Sequence, residues 1–141
     1  MFDIKRDQLA TLREQHRGII HRLDLAKKTI NEGRSPAPGK LRKLVYGLGS
    51  KLQTHFSEEE KHLYTPLKLR LGKDSPMDSM LREHQSIRQA FKRLRLASAE
   101  YEPGRSSNRE LQLSFDSLQE GMISHLKKEE KVLYWLAELK L

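Results

Sequence analysis

The stretch "HFSEEEKHLY" (55–64) places a histidine four residues ahead of a glutamate, and "HLKKEEKVLY" (125–134) writes the same pattern again further along the chain. Both read His-x-x-x-Glu-Glu-Lys-x-Leu-Tyr. On an α-helix a four-residue step is about 40° around the axis and about 6 Å along it. His55 with Glu59, and His125 with Glu129, therefore present both side chains to one side. Each pair also continues an apolar stripe. Leu41, Leu44, Leu48 and Leu52 lead into His55; Leu111, Phe115, Leu118 and Met122 lead into His125. That is helical periodicity with polar groups at core positions.

Two more segments show the same interruption. Leu9, Leu12, His16, Ile19, Leu23 and Ile30 form one stripe, and Met77, Met80, His84, Ile87, Phe91 and Leu94 form another. "LREQH" (12–16) leads to His16 and "LREH" (81–84) to His84. Polar, turn-forming stretches separate the segments: "EGRSPAPG" (32–39), "GKDSP" (72–76) and "EPGRSS" (102–107). Ser75 with Pro76 at the first helical position, and Ser107 with Glu110, read as helix starts. Gly47 and Gly49 weaken the second segment, and Pro66 is expected to kink or end it. Four long helices with short connections predict an all-α, up-down-up-down four-helix bundle. The repeat predicts two hairpins with pseudo-twofold internal duplication, forming one domain over residues 1–141.

Composition narrows the function. The 141 residues include no cysteine, which excludes disulfides, thiolate metal sites, iron–sulfur clusters and thiol catalysis. No apolar run approaches the roughly 18 residues that span a membrane. The opening "MFDIKRDQLA" lacks the apolar core of a secretory signal, so a cytoplasmic location is expected. The net charge of +8 is spread over all segments and interleaved with acids. With only 6% aromatic residues and no recognition motif, it reads as solvated helix faces rather than a nucleic-acid surface. A weak acidic partner is compatible with it.

Histidines in apolar stripes need a reason. A carboxylate facing a core costs several kcal/mol or takes up a proton. Two of them among four imidazoles call for a compensating positive charge, and no Lys or Arg occupies those stripes at that level. A bound cation supplies it. Imidazole and carboxylate without thiolate suit iron, manganese or zinc. Six donors exceed the four of a tetrahedral zinc. They suit two adjacent ions, each taking two imidazoles and sharing both carboxylates. With a shared oxo or hydroxo group, each ion keeps about one open position. Ferritin-like bundles instead use Glu-x-x-His on two helices. Glu59 to His62 fits that spacing, but Glu129 to Val132 breaks it.

The order His16, His55-x-x-x-Glu59, His84, His125-x-x-x-Glu129 resembles the hemerythrin-like, or HHE cation-binding, domain family in its four-His, two-Glu type. "HFSEEEKHLYTPL" and "HLKKEEKVLYWLA" look like that family's two signature stretches, and the resemblance covers essentially the whole chain. It implies a non-haem di-iron centre bridged by Glu59 and Glu129, with His16, His55, His84 and His125 as terminal ligands. The oxygen carriers of the family place a second histidine one turn along the third helix. Here the flanking positions are Arg88 and Met80. They also carry an Asp five residues after the last histidine, where this chain has Glu130. The resemblance therefore points away from simple oxygen carriage, toward binding or sensing of oxygen, nitric oxide or peroxide. A di-iron oxidoreductase and a helical interaction module with a structural metal are the competing readings.

Three further residues stand near this set. His62, on the stripe seven residues past His55, reads as a fifth ligand, a partner of Glu59, or a core histidine bonded elsewhere. Tyr64 and Tyr134, nine residues past their histidines, read as side chains at the core edge with wet hydroxyls, or as donors beside an oxidising centre. Off the stripe, His21 is read as a surface residue. Gly121 either clears space at an open ion position or lets two helices approach.

Overall fold

Each apolar stripe folds as a helix, because burying one face against neighbouring helices satisfies it. The structure is a computed structural model. It describes residues 6–31, 37–72, 76–101 and 107–138, with side chains within 9–31, 37–70, 76–101 and 109–132. Helix α1 runs Arg6–Asn31 and α2 runs Pro38–Glu59. A π-helical segment, Glu60–Tyr64, joins α2 to α3, Thr65–Leu71. Helices α4 (Met77–Glu100) and α5 (Ser107–Glu138) complete the chain. Since α2, the π segment and α3 form one continuous rod, four rods make an all-helical bundle. In it α1 packs on α2, α2 on α4, α4 on α5 and α5 on α1.

Helix ends differ in detail from the sequence reading. Pro38 opens α2 after Ala37, so residues 38 and 39 belong to the helix rather than to the turn stretch. Gly72, at φ 80, ends α3 in a backbone region that favours glycine. Pro76 lies one residue before α4, not at its first position, and its carbonyl accepts the Met80 N–H. Ser75 and the side chain of Ser107 lie outside the described residues. Pro66 does not end the second rod, which runs on to Leu71; the π segment stands immediately before it. Gly49 is needed: a Cβ there would lie 2.4 Å from Cζ of Phe91 on α4.

The core has two apolar clusters. One gathers Ile19, Leu23, Leu48, Leu52, Leu94, Phe115, Leu118 and their neighbours. The other gathers Leu9, Leu12, Leu63, Tyr64, Leu67, Met77 and Met80. On every rod the histidines fall between the residues of these two clusters. A layer of polar groups thus divides the core.

Candidate metal centre

Six predicted residues fill that layer. His16, His55, Glu59, His84, His125 and Glu129 are all buried, each at most 3% exposed. Their donor atoms form two groups that share both carboxylates: His16, His55, Glu59 and Glu129, and Glu59, His84, His125 and Glu129. Within each group the atoms lie within 4.8 Å of one another. Nε2 of His55 is 2.8 Å from Oε1 of Glu59, and Nε2 of His125 is 3.0 Å from Oε2 of Glu129. These are the two i,i+4 pairs of the signature stretches. Across the bundle, Nε2 of His16 is 2.5 Å from Oε1 of Glu129, and Nε2 of His84 is 3.5 Å from Oε1 of Glu59. The first hairpin supplies two imidazoles to one group, and the second supplies two to the other.

The outward ring nitrogens explain why Nε2 points inward with a lone pair. Nδ1 of His16 lies 3.3 Å from Oε1 of Glu130, that of His55 is 2.6 Å from Oε1 of Gln15, and that of His84 is 3.1 Å from Oε2 of Glu60. Nδ1 of His125 faces Oε2 of Glu83 at 3.8 Å. For His16, His55 and His84 an acceptor at Nδ1 holds the proton there and leaves Nε2 free to ligate; for His125 the Glu83 carboxylate stands beyond hydrogen-bond reach. The partners follow the duplication: Gln15 and Glu83 immediately precede His16 and His84, while Glu60 and Glu130 immediately follow Glu59 and Glu129. The sequence reading missed this outer ring, although the doubled glutamate in both signatures was its visible trace. Cations stand behind it. Nη2 of Arg88 is 2.5 Å from Oε2 of Glu60, and Nζ of Lys128 is 3.1 Å from Oε1 of Glu83. Arg88 therefore turns toward Glu60 rather than offering a donor in place of a third-helix histidine.

The layer fits a cation. His55 Nε2 and Glu59 Oε1 are buried, adjacent and in no hydrogen-bonding geometry. Nε2 of His84 and Nε2 of His125 are 2.9 Å apart. Two such lone pairs repel unless a proton or metal lies between them. Metal–donor bonds of about 2.0–2.2 Å put neighbouring ligands roughly 3 Å apart, matching these spacings. Burial alone would raise the Glu59 pKa, but the imidazoles of His16, His55 and His84 hold it far below the ordinary carboxylate range. Burial, then repulsion from His84, lowers His125 to about 4, so its ring is neutral at physiological pH, as ligation requires.

The structure decides between the two readings of Tyr64 and corrects that of His62. Tyr64 is fully buried, not at a wet core edge. Its hydroxyl donates to Oε2 of Glu129 and stands 3.4 Å from both Oε2 of Glu59 and Nε2 of His125. Burial and the Glu59 carboxylate push its pKa far up, so it stays a donor. His62 is exposed, and so is none of the three things expected of it. One cause serves for both. In an unbroken α-helix the ninth residue past His55 would face almost directly away from it, and the seventh would share its face. The π segment retards the following turn, swinging Tyr64 in and His62 out. The side chain of Tyr134 lies outside the described residues. His21 is exposed, as expected. A Cβ on Gly121 would meet only Cγ1 of Ile87 at 3.8 Å, an ordinary contact, so close helix approach does not require that glycine. No helix among the described residues is long and apolar enough to cross a membrane.

No curated protein and no solved structure matches the chain. The family model for the hemerythrin HHE cation-binding domain matches residues 7–138, the span that carries all six buried donors. That match covers nearly the whole chain, and the chain belongs to the hemerythrin HHE cation-binding domain family.

Proposed function

We propose that the chain is a non-haem di-iron protein that binds or senses a small diatomic or redox ligand: oxygen, nitric oxide or peroxide. The observation that carries this reading is the pair of donor groups sharing Glu59 and Glu129, each completed by two imidazoles. One cation cannot use six donors arranged in two overlapping sets of four. Two can, with the carboxylates between them. Nitrogen and oxygen donors without sulfur suit iron, and two imidazoles plus shared carboxylates leave coordination positions free. Held by these six residues, a pair of iron ions would supply the redox chemistry toward such ligands.

The chain's own groups do the rest. Glu60, Gln15, Glu83 and Glu130 face the outward nitrogens and orient the rings. Tyr64 holds Glu129 and presents the one hydroxyl hydrogen-bonded within the layer among the described residues. Phe56 stacks on His84, with ring centroids 3.8 Å apart, and excludes water from that side. A cleft of about 380 Å³ between α1 and α2 is lined by Gln15, Gly18, Thr54 and His55 among others, and so borders the layer on the His55 side.

Anaerobic loading with ferrous iron, followed by metal analysis, tests the reading. Two ions per chain and a near-ultraviolet charge-transfer band on oxidation are expected; fewer than one ion per chain refutes it. Titration with oxygen and with nitric oxide then separates roles. A stoichiometric spectral change supports sensing, whereas many turnovers per centre would make the chain an oxidoreductase.

A further inference from the structure

A second cleft, of about 270 Å³, opens between α2 and α4 and plays no part in the function proposed for the metal layer. Leu52, Phe56, Ile87 and Phe91 give it apolar walls. Arg88, Lys92 and Arg95, at steps of four and three along α4, line the same cleft as cations. No acidic residue lines it, and among the described residues neither Lys92 nor Arg95 has an ion-pair partner. Its shape depends on Gly49, since a Cβ there would strike Phe91. A mid-helix glycine costs about 1 kcal/mol relative to alanine, and here it lets the Phe91 ring lie against α2.

The cleft also reaches the metal layer by two routes. Phe56, part of its wall, stacks on His84 at an interplanar angle of 14°. Arg88 lines the cleft and holds Glu60, the acceptor that faces Nδ1 of His84. The guanidinium therefore stands between whatever enters the cleft and the ring that faces the layer.

We propose that this cleft is a regulatory site for a small aromatic carboxylate, its ring on the half-buried Phe91, its carboxylate on Lys92 and Arg95, read by the metal layer through Arg88, whose guanidinium lies over the buried Phe56 ring. The volume falls just below the roughly 300–1,000 Å³ of pockets for drug-sized ligands, so the occupant has one or two rings. An inorganic anion would leave the Phe91 ring uncovered. A carboxylate in the cleft competes with Glu60 for Arg88. Glu60, relieved of the guanidinium, becomes a stronger acceptor for the His84 Nδ1–H, and the inward nitrogen becomes a better donor. By linkage, metal loading changes carboxylate affinity by the same factor that the carboxylate changes metal affinity. The regulatory link rests on the metal reading of the layer; occupancy of the cleft does not.

Calorimetric titration of 1-naphthoate into metal-free and metal-loaded protein, with metal content measured on each, decides it. One-to-one binding is expected, weakened about tenfold or more by Lys92→Ala with Arg95→Ala. Lys27→Ala with Lys28→Ala removes the same charge from α1 and should leave binding unchanged. Metal loading should shift the wild-type Kd about fivefold, and Arg88→Gln should abolish the shift. No naphthoate binding, equal weakening in both double variants, phosphate binding as tightly as naphthoate, or one Kd for both forms would each overturn the proposal. Protein that takes up no metal refutes the di-iron reading and the link with it, while the metal-free titration still decides the cleft.

Discussion

The two hairpins carry the same ten-residue signature and place it alike only as far as the second glutamate. His55 and His125, Glu59 and Glu129, and Glu60 and Glu130 occupy matching places around the polar layer. Beyond that the backbones part. The first hairpin passes through a π turn at Glu60–Tyr64, and its seventh residue after the histidine, His62, is exposed. The second continues as α-helix, and the matching Val132 packs on the smaller apolar cluster. Equal spacing in sequence is thus equal geometry only while the helix type stays the same. The two rods differ in the residues just past the tyrosine, Thr65-Pro66 in the first hairpin and Trp135-Leu136 in the second. A proline in an α-helix lacks one hydrogen-bond donor, and its ring collides with the carbonyl four residues back. For Pro66 that carbonyl belongs to His62, inside the π segment. Widening the turn there relieves the collision.

The likeness of the halves gives the largest expected effects. Glu59 and Glu129 belong to both donor groups, so Glu59→Gln with Glu129→Gln should remove both cations. Affinity should fall by more than the 10–100-fold typical of losing an outer partner. The metal-free double variant should be less stable than metal-free wild type, because the imidazoles that hold Glu59 ionised and the Tyr64 hydroxyl that donates to Glu129 lose their charged partners. Metal analysis and urea unfolding check the two halves of that statement. The histidines are not shared. His16→Ala with His55→Ala should leave one cation per chain, and His84→Ala with His125→Ala should do the same from the other side. Loss of both cations in either variant would show that the two positions cannot exist apart.

How much of this the sequence disclosed depends on the same division. The four rods and the six buried donors were legible because helical periodicity and i,i+4 spacing are local, and four histidines interrupting four apolar stripes are hard to account for except as ligands. The outer ring was half legible. Glu60 and Glu130 stood in the doubled glutamates, but which ring each would face depends on a neighbouring rod. Gln15 and Glu83 gave no local sign at all. His62 was misplaced, and Tyr64 was left between two readings, by one assumption, that the rod stays α-helical up to Pro66. Proline announces a local disturbance without specifying whether the helix ends, bends or widens.

Acid should separate the halves next. The His125 pKa is lowered to about 4 in the fold, against 6.5 for an unperturbed histidine. The folded state therefore disfavours its proton. Stability of the metal-free protein is full above about pH 6.5 and falls as acidity approaches pH 4. The slope is about 1.4 kcal/mol per pH unit for one proton. Glu59, whose carboxylate is held ionised, adds a loss in the same direction once the pH drops below 4.5, its ordinary value. Urea midpoints at intervals between pH 7 and 4.5 check this. In His125→Gln the slope above pH 4.5 should flatten; an unchanged slope would place its origin elsewhere in the molecule.

The smallest expected effect bears on the one place where the halves differ. Tyr64→Phe keeps the ring but leaves Glu129 without its buried hydroxyl donor, at a cost of about 1–3 kcal/mol in the metal-free protein. If Pro66 is what holds the turn open, Pro66→Leu gives the first rod the residue of the second and lets it close toward α-helix. Tyr64 then swings away from Glu129, and the hydroxyl is already lost to the layer. The two changes should therefore not add. Tyr64→Phe made on the Pro66→Leu background should cost less than half of what it costs alone, a coupling of about 1 kcal/mol readable in a double-mutant cycle by urea unfolding. Full additivity would mean that the π turn persists without the proline. The cause would then lie in the packing of Leu63 and Tyr64 against Met77 and Met80, where the first hairpin leans on the second, and not in the rod's own sequence.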